Sequence, residues 1–314
     1  MAFEMIKETT ESRIREVPLG SGEVKVGGEN VLPFHLWEGE MPNRPLIAAE
    51  VYDYDPQEWS PVVLETIKDV SADPVAWAKK AQDEWGADLI ALKLKSTDPK
   101  GDDRPAEEAA QTAKAVVEAV NIPVIVYGSE DAEKDSEVLK AVATVTEGKN
   151  VILGPAIEDD YKTIGAAAIG YNQTVAAKTP IDVNLAKQLN VLLSNLGVDI
   201  GKIIMDPTTG ALGYGLEYTY SVMERLKLAA LRQDDSMTQM PLIADVGIEV
   251  WKAKEAKVPA EDEPQWGDES KRGVLWEIIT ATTLLIAGAD IVIMRHPEAI
   301  KTVRKVIDTL MVRE

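Results

Sequence analysis

Cysteine is absent from the 314 residues. The chain therefore makes no disulfide and cannot ligate an iron–sulfur cluster or a thiolate zinc site. Histidine is nearly absent as well. His35 and His296 are too few for a His-rich metal centre, and their spacing offers no Ser/His/Asp arrangement. Basic residues are the minority, 33 against 53 acidic, which gives a net charge of −20. A surface this acidic repels phosphate backbones and anionic lipid, so nucleic acid and membrane are poor partners. Long apolar runs are missing too. Val274 to Met294 comes nearest, but Glu277, Gly288 and Asp290 interrupt it, so it reads as a buried helix followed by a strand. The first residues, Met-Ala-Phe-Glu-Met-Ile-Lys-Glu, are charged and carry no apolar signal core. The expectation is a cytoplasmic chain. Its 45% hydrophobic content supports one large core or two modest ones.

The stretch Ile203 to Glu217 stands out. An apolar run ends at Asp206-Pro207, where a central ladder cannot continue. Thr208, Thr209 and three glycines, Gly210, Gly213 and Gly215, follow. Then Tyr218, Val222, Leu226 and Ala229 recur at helical spacing. This is strand, glycine-rich loop, helix. Backbone so bare can approach a large ligand closely, or can serve only as a long turn.

Residues 1–45 differ from the rest. Glu16 to Gly28 suggests a short hairpin, Phe34 to Trp37 a further extended piece, and together they are expected to cover one end of the main domain. His35 has a structural role in this reading. From residue 46 to 314 strands and helices alternate. Strands are expected at Leu46–Tyr52, Leu89–Leu94, Pro123–Tyr127, Val151–Leu153, Thr174–Ala177, Ile203–Met205, Leu242–Ala244 and Ile291–Met294. The helix capped by Asp182 should bury Leu185, Leu189, Leu192, Leu193 and Leu196. Gly86-Ala-Asp88, Gly197-Val-Asp199 and Gly288-Ala-Asp290 each close a helix and open a strand, and the glycine suits the left-handed cap. Eight strands alternating with eight helices give an α/β fold, a (β/α)8 TIM barrel with an N-terminal hairpin extension. The runner-up is an open doubly wound sheet, although the first strand lacks a G-x-G-x-x-G turn.

In a barrel the working face lies at the carboxyl ends of the strands. Polar residues there are Asp53, Lys95, Ser96, Thr97, Ser129, Asp206, Thr208, Thr209, Asp245, Arg295 and His296, with Asn172 just before the fifth strand. Asp53, Asp206 and Asp245 could converge for acid–base work or to bind a nitrogen heterocycle. Equally, Asp at a strand end caps the next helix. The glycines of a barrel phosphate site are missing after the last two strands. The acidic segment from Trp251 to Arg272, with Trp266 near its end, reads as a partner contact or as a folded-back flap.

Val26 to Gly39, Asn43 to Asp53, Ile203 to Tyr218 and Ala289 to Pro297 resemble the small subunit of the corrinoid iron–sulfur protein of the reductive acetyl-CoA pathway, a delta-type subunit of acetyl-CoA synthase/CO dehydrogenase. The resemblance covers essentially the whole chain. It implies a barrel that pairs as a heterodimer with a large subunit, in anaerobic carbon fixation. The 4Fe-4S cluster and a corrinoid domain belong to that partner, and cobalamin lies between that domain and this barrel. The methyl group comes from methyltetrahydrofolate through a separate methyltransferase and goes to acetyl-CoA synthase. The absence of cysteine agrees with a cluster on another chain. No Asp-x-His-x-x-Gly run supplies a lower histidine ligand. Cobalt does the hard chemistry, so a subunit beside the corrin supplies shape, hydrogen bonds and shelter. Thr208, Thr209, Gly210, Ala211, Gly213, Tyr214 and Asp245 are the candidate cofactor-binding residues. No catalytic residue and no metal ligand is assigned, so the chain reads as a methyl-carrier subunit rather than a catalyst by itself. The competing reading is a pterin-dependent methyltransferase on the same barrel, gripping the pterin with Asp53, Asn172, Asp206 and Asp245. A purely structural partner is a third.

Overall fold

The computed structural model describes residues 6–312. The first five residues of the expected extension and the last two of the expected barrel lie outside that range. Eight parallel strands form one sheet: β3 (Leu46–Tyr52), β4 (Leu89–Lys93), β5 (Val124–Tyr127), β6 (Ile152–Ala156), β7 (Thr174–Lys178), β8 (Ile203–Asp206), β9 (Ile243–Asp245) and β10 (Ile291–Met294). The order is β8-β7-β6-β5-β4-β3-β10-β9. A bridge between Met205 and Leu242 brings β8 to β9, so the sheet curls into a nearly closed barrel. The helices between the strands pack on its outside. They are α2 (Pro74–Asp83), α3 (Ala106–Ala119), α4 (Ala132–Val145), α5 (Tyr161–Tyr171), α6 (Val183–Leu196), α7 (Leu216–Arg232), α10 (Glu269–Ala287) and α11 (Pro297–Leu310). Between β3 and α2 lies a helix the sequence did not signal, α1 (Pro61–Ile67), only seven residues long, and two short helices, α8 (Val246–Val250) and α9 (Lys254–Lys257), lie between β9 and α10.

Two apolar layers make the core. Leu46, Ala48, Leu89, Ala91, Ile125, Ile152, Ala176, Ile204, Ile243, Ile291 and Ile293 pack together inside the barrel, and their strand neighbours pack outward against the helices. This is the period-two alternation of a strand, used on both faces. The antiparallel hairpin β1 (Val17–Leu19) and β2 (Val24–Val26) joins the inner layer through Val17, Leu19 and Val26. Its turn is held near β6 by Gly20 N–H donating to the Asn150 carbonyl at 3.3 Å. Residues 34–37 are not extended. Phe34 has φ of 62°, and His35 N–H donates to the Leu32 carbonyl at 3.0 Å, so the segment is a run of turns.

The repeated Gly-x-Asp units explain how strands are held in register. Gly86, Gly197 and Gly288 all have positive φ, as a left-handed cap requires. Asp88 N–H donates to the Ile47 carbonyl while its carboxylate accepts from Ile47 N–H, both at 2.8 Å. Asp290 does the same with Leu242, at 2.8 and 2.7 Å. The α6 face differs from the expected one. Leu189 and Leu193 are buried with Ala186 and Asn190, whereas Leu185 and Leu192 are only partly covered and line a cavity. Among the described residues no helix is long and apolar enough to cross a membrane.

Candidate functional site at the barrel mouth

Above the apolar inner layer sits a charged one. Parity along each strand decides its members: Leu46 and Ala48 point inward, so Glu50 does too, and Leu89 and Ala91 put Lys93 inside. Lys93 is 1% exposed and reaches both Glu50, at 2.9 Å, and Asp245. Arg295 pairs with Glu50 from the other side, and its guanidinium lies 3.7 Å from the centre of the Trp59 ring. Burial would raise the Glu50 carboxyl, but the Arg295 and Lys93 charges hold it at about 2. Burial would likewise discharge Lys93, and Asp245 and Glu50 keep it protonated. On the opposite wall Tyr127 donates to Asp206 at 3.3 Å. Burial lifts Asp206 to about 6, Lys178 opposes the rise, and Asp245 adds to it. Lys178 and Lys95 both reach Glu130, each at 3.1 Å.

This arrangement gathers some of the expected residues and scatters others. Asp206 and Asp245 share the mouth layer. Asp53 sits apart, accepting from Ser96 N–H at 3.0 Å and from the Ser96 hydroxyl, with Arg104 at 3.9 Å. Ser129 is bound by Asp135, and the Thr97 hydroxyl by the Leu94 carbonyl. Asn172 is at the wrong end. It closes α5 in the left-handed conformation before β7 begins and accepts from Lys202, so it cannot join a site at the carboxyl ends. His296 caps α11, with Nδ1 accepting from Glu298 N–H at 3.2 Å. His35 stacks on Trp37 and pairs with Glu38, which also approaches Arg232 at the far end of α7. Glu50, Lys93, Tyr127 and Lys178 escaped the sequence reading: the first three lie inside their strands, where no polar residue was sought, and Lys178, directly after the expected fifth strand, was passed over. A charge at an inward parity inside an apolar strand was the available signal.

The glycine-rich loop folds over this layer. Thr208 takes φ of 60°, donates its hydroxyl to the Thr179 carbonyl at 2.6 Å, and gives its N–H to Asp206. The Thr209 hydroxyl is buried and accepts from Asp245 N–H at 2.8 Å. Gly210 is packed so closely that a Cβ there would stand 2.6 Å from the Gly215 carbonyl carbon. Ala211 is buried, while Gly213 and Tyr214 face outward, Tyr214 donating to Glu255 at 2.9 Å. That contact joins the loop to the 251–272 segment, which folds back on the barrel. Buried Trp251 donates to Glu277 at 2.9 Å, and buried Arg272 donates to the Glu255 and Val258 carbonyls at 2.9 and 2.6 Å. Trp266 is clamped between Lys254 and Arg272.

Beside the mouth, between the ends of β6 and β7 and the start of α6, lies a cavity of about 410 Å³. Pro155, Ile157, Leu185, Leu189 and Leu192 form its apolar wall, and Lys178 and Thr208 join it to the mouth. Burial lifts its Asp160 carboxyl to about 7, opposed by Ile157 N–H and aided by Asp135 and Asp159.

The model of the family described as CO dehydrogenase/acetyl-CoA synthase delta subunit matches residues 16–311. The chain belongs to this family. The acetyl-CoA decarbonylase/synthase complex subunit delta of Archaeoglobus fulgidus is 39% identical, over 98% of this chain and 71% of that one. Subunit delta 1 of Methanosarcina thermophila is 40% identical, over 96% and 71%. Among solved structures the barrel is similar to dihydropteroate synthase from Vibrio fischeri, with a TM-score of 0.59 at 15% identity over 88% of this chain and 96% of that one. It is also similar to the Coxiella burnetii dihydropteroate synthase in complex with pteroic acid, with a TM-score of 0.56 at 12% identity over 95% and 99%. At such identities the likeness establishes a TIM barrel for this delta-subunit family member and nothing of its ligand.

Proposed function

We propose that this chain is the small subunit of a heterodimeric corrinoid iron–sulfur methyl carrier, and that its barrel mouth helps to hold cobalamin. Membership of the delta-subunit family carries the reading. When bound, cobalamin supplies a nucleophilic cobalt that takes a methyl group originating on methyltetrahydrofolate, through a methyltransferase, and yields it to acetyl-CoA synthase. The residues of the mouth suit a supporting role. The His296 Nδ1 is already used as the α11 cap, and His35 stacks on Trp37 away from the glycine-rich loop. Gly213 and Tyr214 present bare backbone and an exposed ring to a ligand lying over the loop, and the Thr208 hydroxyl, which donates to the Thr179 carbonyl, keeps its lone pairs free to accept. Thr209, Gly210, Ala211 and Asp245 are the buried frame that keeps the loop in shape. The large subunit then brings the cluster and the corrinoid domain, and residues 1–45 act as an extension that stoppers the far end of a 46–314 barrel.

The methyltransferase alternative shares the fold. Against it stand the ion pairs that already use Asp245 and the hydrogen bonds that already use Asp53. Capture of the tagged chain after co-expression with the large subunit, read by visible absorbance, tests the proposal. A cobalamin spectrum and a cluster spectrum should follow this cysteine-free chain, and Thr208→Ala/Thr209→Ala should weaken cobalamin retention. A colourless chain that binds methyltetrahydrofolate would overturn the carrier reading in favour of the methyltransferase.

A further inference from the structure

From Gly273 to Ala289 the chain carries a single charged side chain, Glu277. It is fully buried, accepting from Trp251 and from the backbone N–H groups of Arg295 and His296. The outer face of α10 therefore has no charge across four turns, in a chain that is 27% charged. On that face Leu275 is 53% exposed, Ile279 45% and Ile286 46%. With half-buried Thr282 between them they follow spacings of four, three and four, the seam of a helix that packs against another helix. The neighbouring α11 shows what an ordinary solvated face looks like here: its outward residues are Glu298, Lys301, Lys305 and Asp308. Isolated exposed leucines need no explanation, but a stripe in register along about 17 Å of helix does.

We infer that this stripe is the apolar centre of the surface on which the large subunit docks, through an apolar helix with basic flanks. The inference rests on the heterodimer reading above and names the face it uses. Charge selects the occupant. Two copies of this chain face to face would set −20 against −20, whereas a partner with basic flanks gains from the same field. Three side chains fall well short of the roughly 800 Å² per partner of a standard interface, so they form its dry middle and not its whole extent.

The test uses the co-expressed complex. A benzophenone amino acid placed at Leu275 or Ile279 should cross-link to the large subunit, and one placed at Lys305 should not. Leu275→Asp/Ile279→Asp should weaken co-purification of the large subunit at least tenfold while the isolated chain still unfolds in one cooperative transition within a few degrees of the wild type, because each side chain is about half exposed there. Co-purification at the wild-type level, or cross-links joining two copies of this chain, overturns the docking face. Cobalamin absorbance is followed separately: a complex that assembles through α10 yet holds no cobalamin removes the carrier reading and leaves the docking face standing.

Discussion

Lys227 makes the sharpest test of the energetics. Its side chain is 2% exposed and places the ammonium between Glu29, in the segment after the hairpin, and Asp290, just before β10. Asp290 also accepts from Leu242 N–H. One cation thus serves two buried carboxylates. Burial raises Asp290 to about 7, Glu29 pushes it the same way, and Lys227 holds it back. A carboxyl raised in the folded state contributes stability that is fully present below its ordinary value and lost as pH rises through about 7. Lys227→Met removes the cation that, among the described residues, pairs with both acids. Breaking a buried pair in this way costs about 3–5 kcal/mol, or about 5–8 °C in Tm at this chain length. The cost should be largest at pH 8 and clearly smaller at pH 5.5, where Asp290 can take a proton instead. Urea unfolding at both values measures it. Lys227→Met/Glu29→Gln/Asp290→Asn should recover most of the loss, since no buried charge is then left unpaired. A loss under about 1 kcal/mol at pH 8, or a larger loss at pH 5.5, would refute the reasoning.

Other outcomes follow from the mouth. Lys93→Met strands Asp245 and should destabilise by about 3–5 kcal/mol, with partial recovery in Lys93→Met/Asp245→Asn; additive losses in a double-mutant cycle would contradict the pairing. Gly210→Ala forces a Cβ against the Gly215 carbonyl and should cost about 1–3 kcal/mol by chemical denaturation. Asp160→Asn keeps an acceptor for Ile157 N–H but cannot ionise. The wild type should therefore lose stability relative to this variant as pH rises from about 4 to about 7, and parallel pH profiles would show that the Asp160 carboxyl is not raised.

Much of the architecture was legible along the chain, and local chemistry explains why. The Gly-x-Asp units mark helix ends because only glycine relaxes at φ of +70°, +107° and +125°. The alternation of apolar strands with amphipathic helices was enough for the barrel. Asp182 was recognised as a cap because capping involves residues two and three positions away. The absence of cysteine excluded a cluster before any coordinate was known. What closure of the barrel decided was different in kind. Lys93 meets Asp245 across 152 residues, and Lys227 meets Glu29 across 198. No pattern in a window of ten or twenty residues encodes such pairs. Asn172 looked like a mouth residue beside a strand, yet its end of β7 is the far one. Leu185 and Leu192 followed a helical stripe, yet the space beside them is a cavity. Spacing shows which residues share a face of one element; the packing of elements decides what each face meets, and the chemistry of this site depends on that.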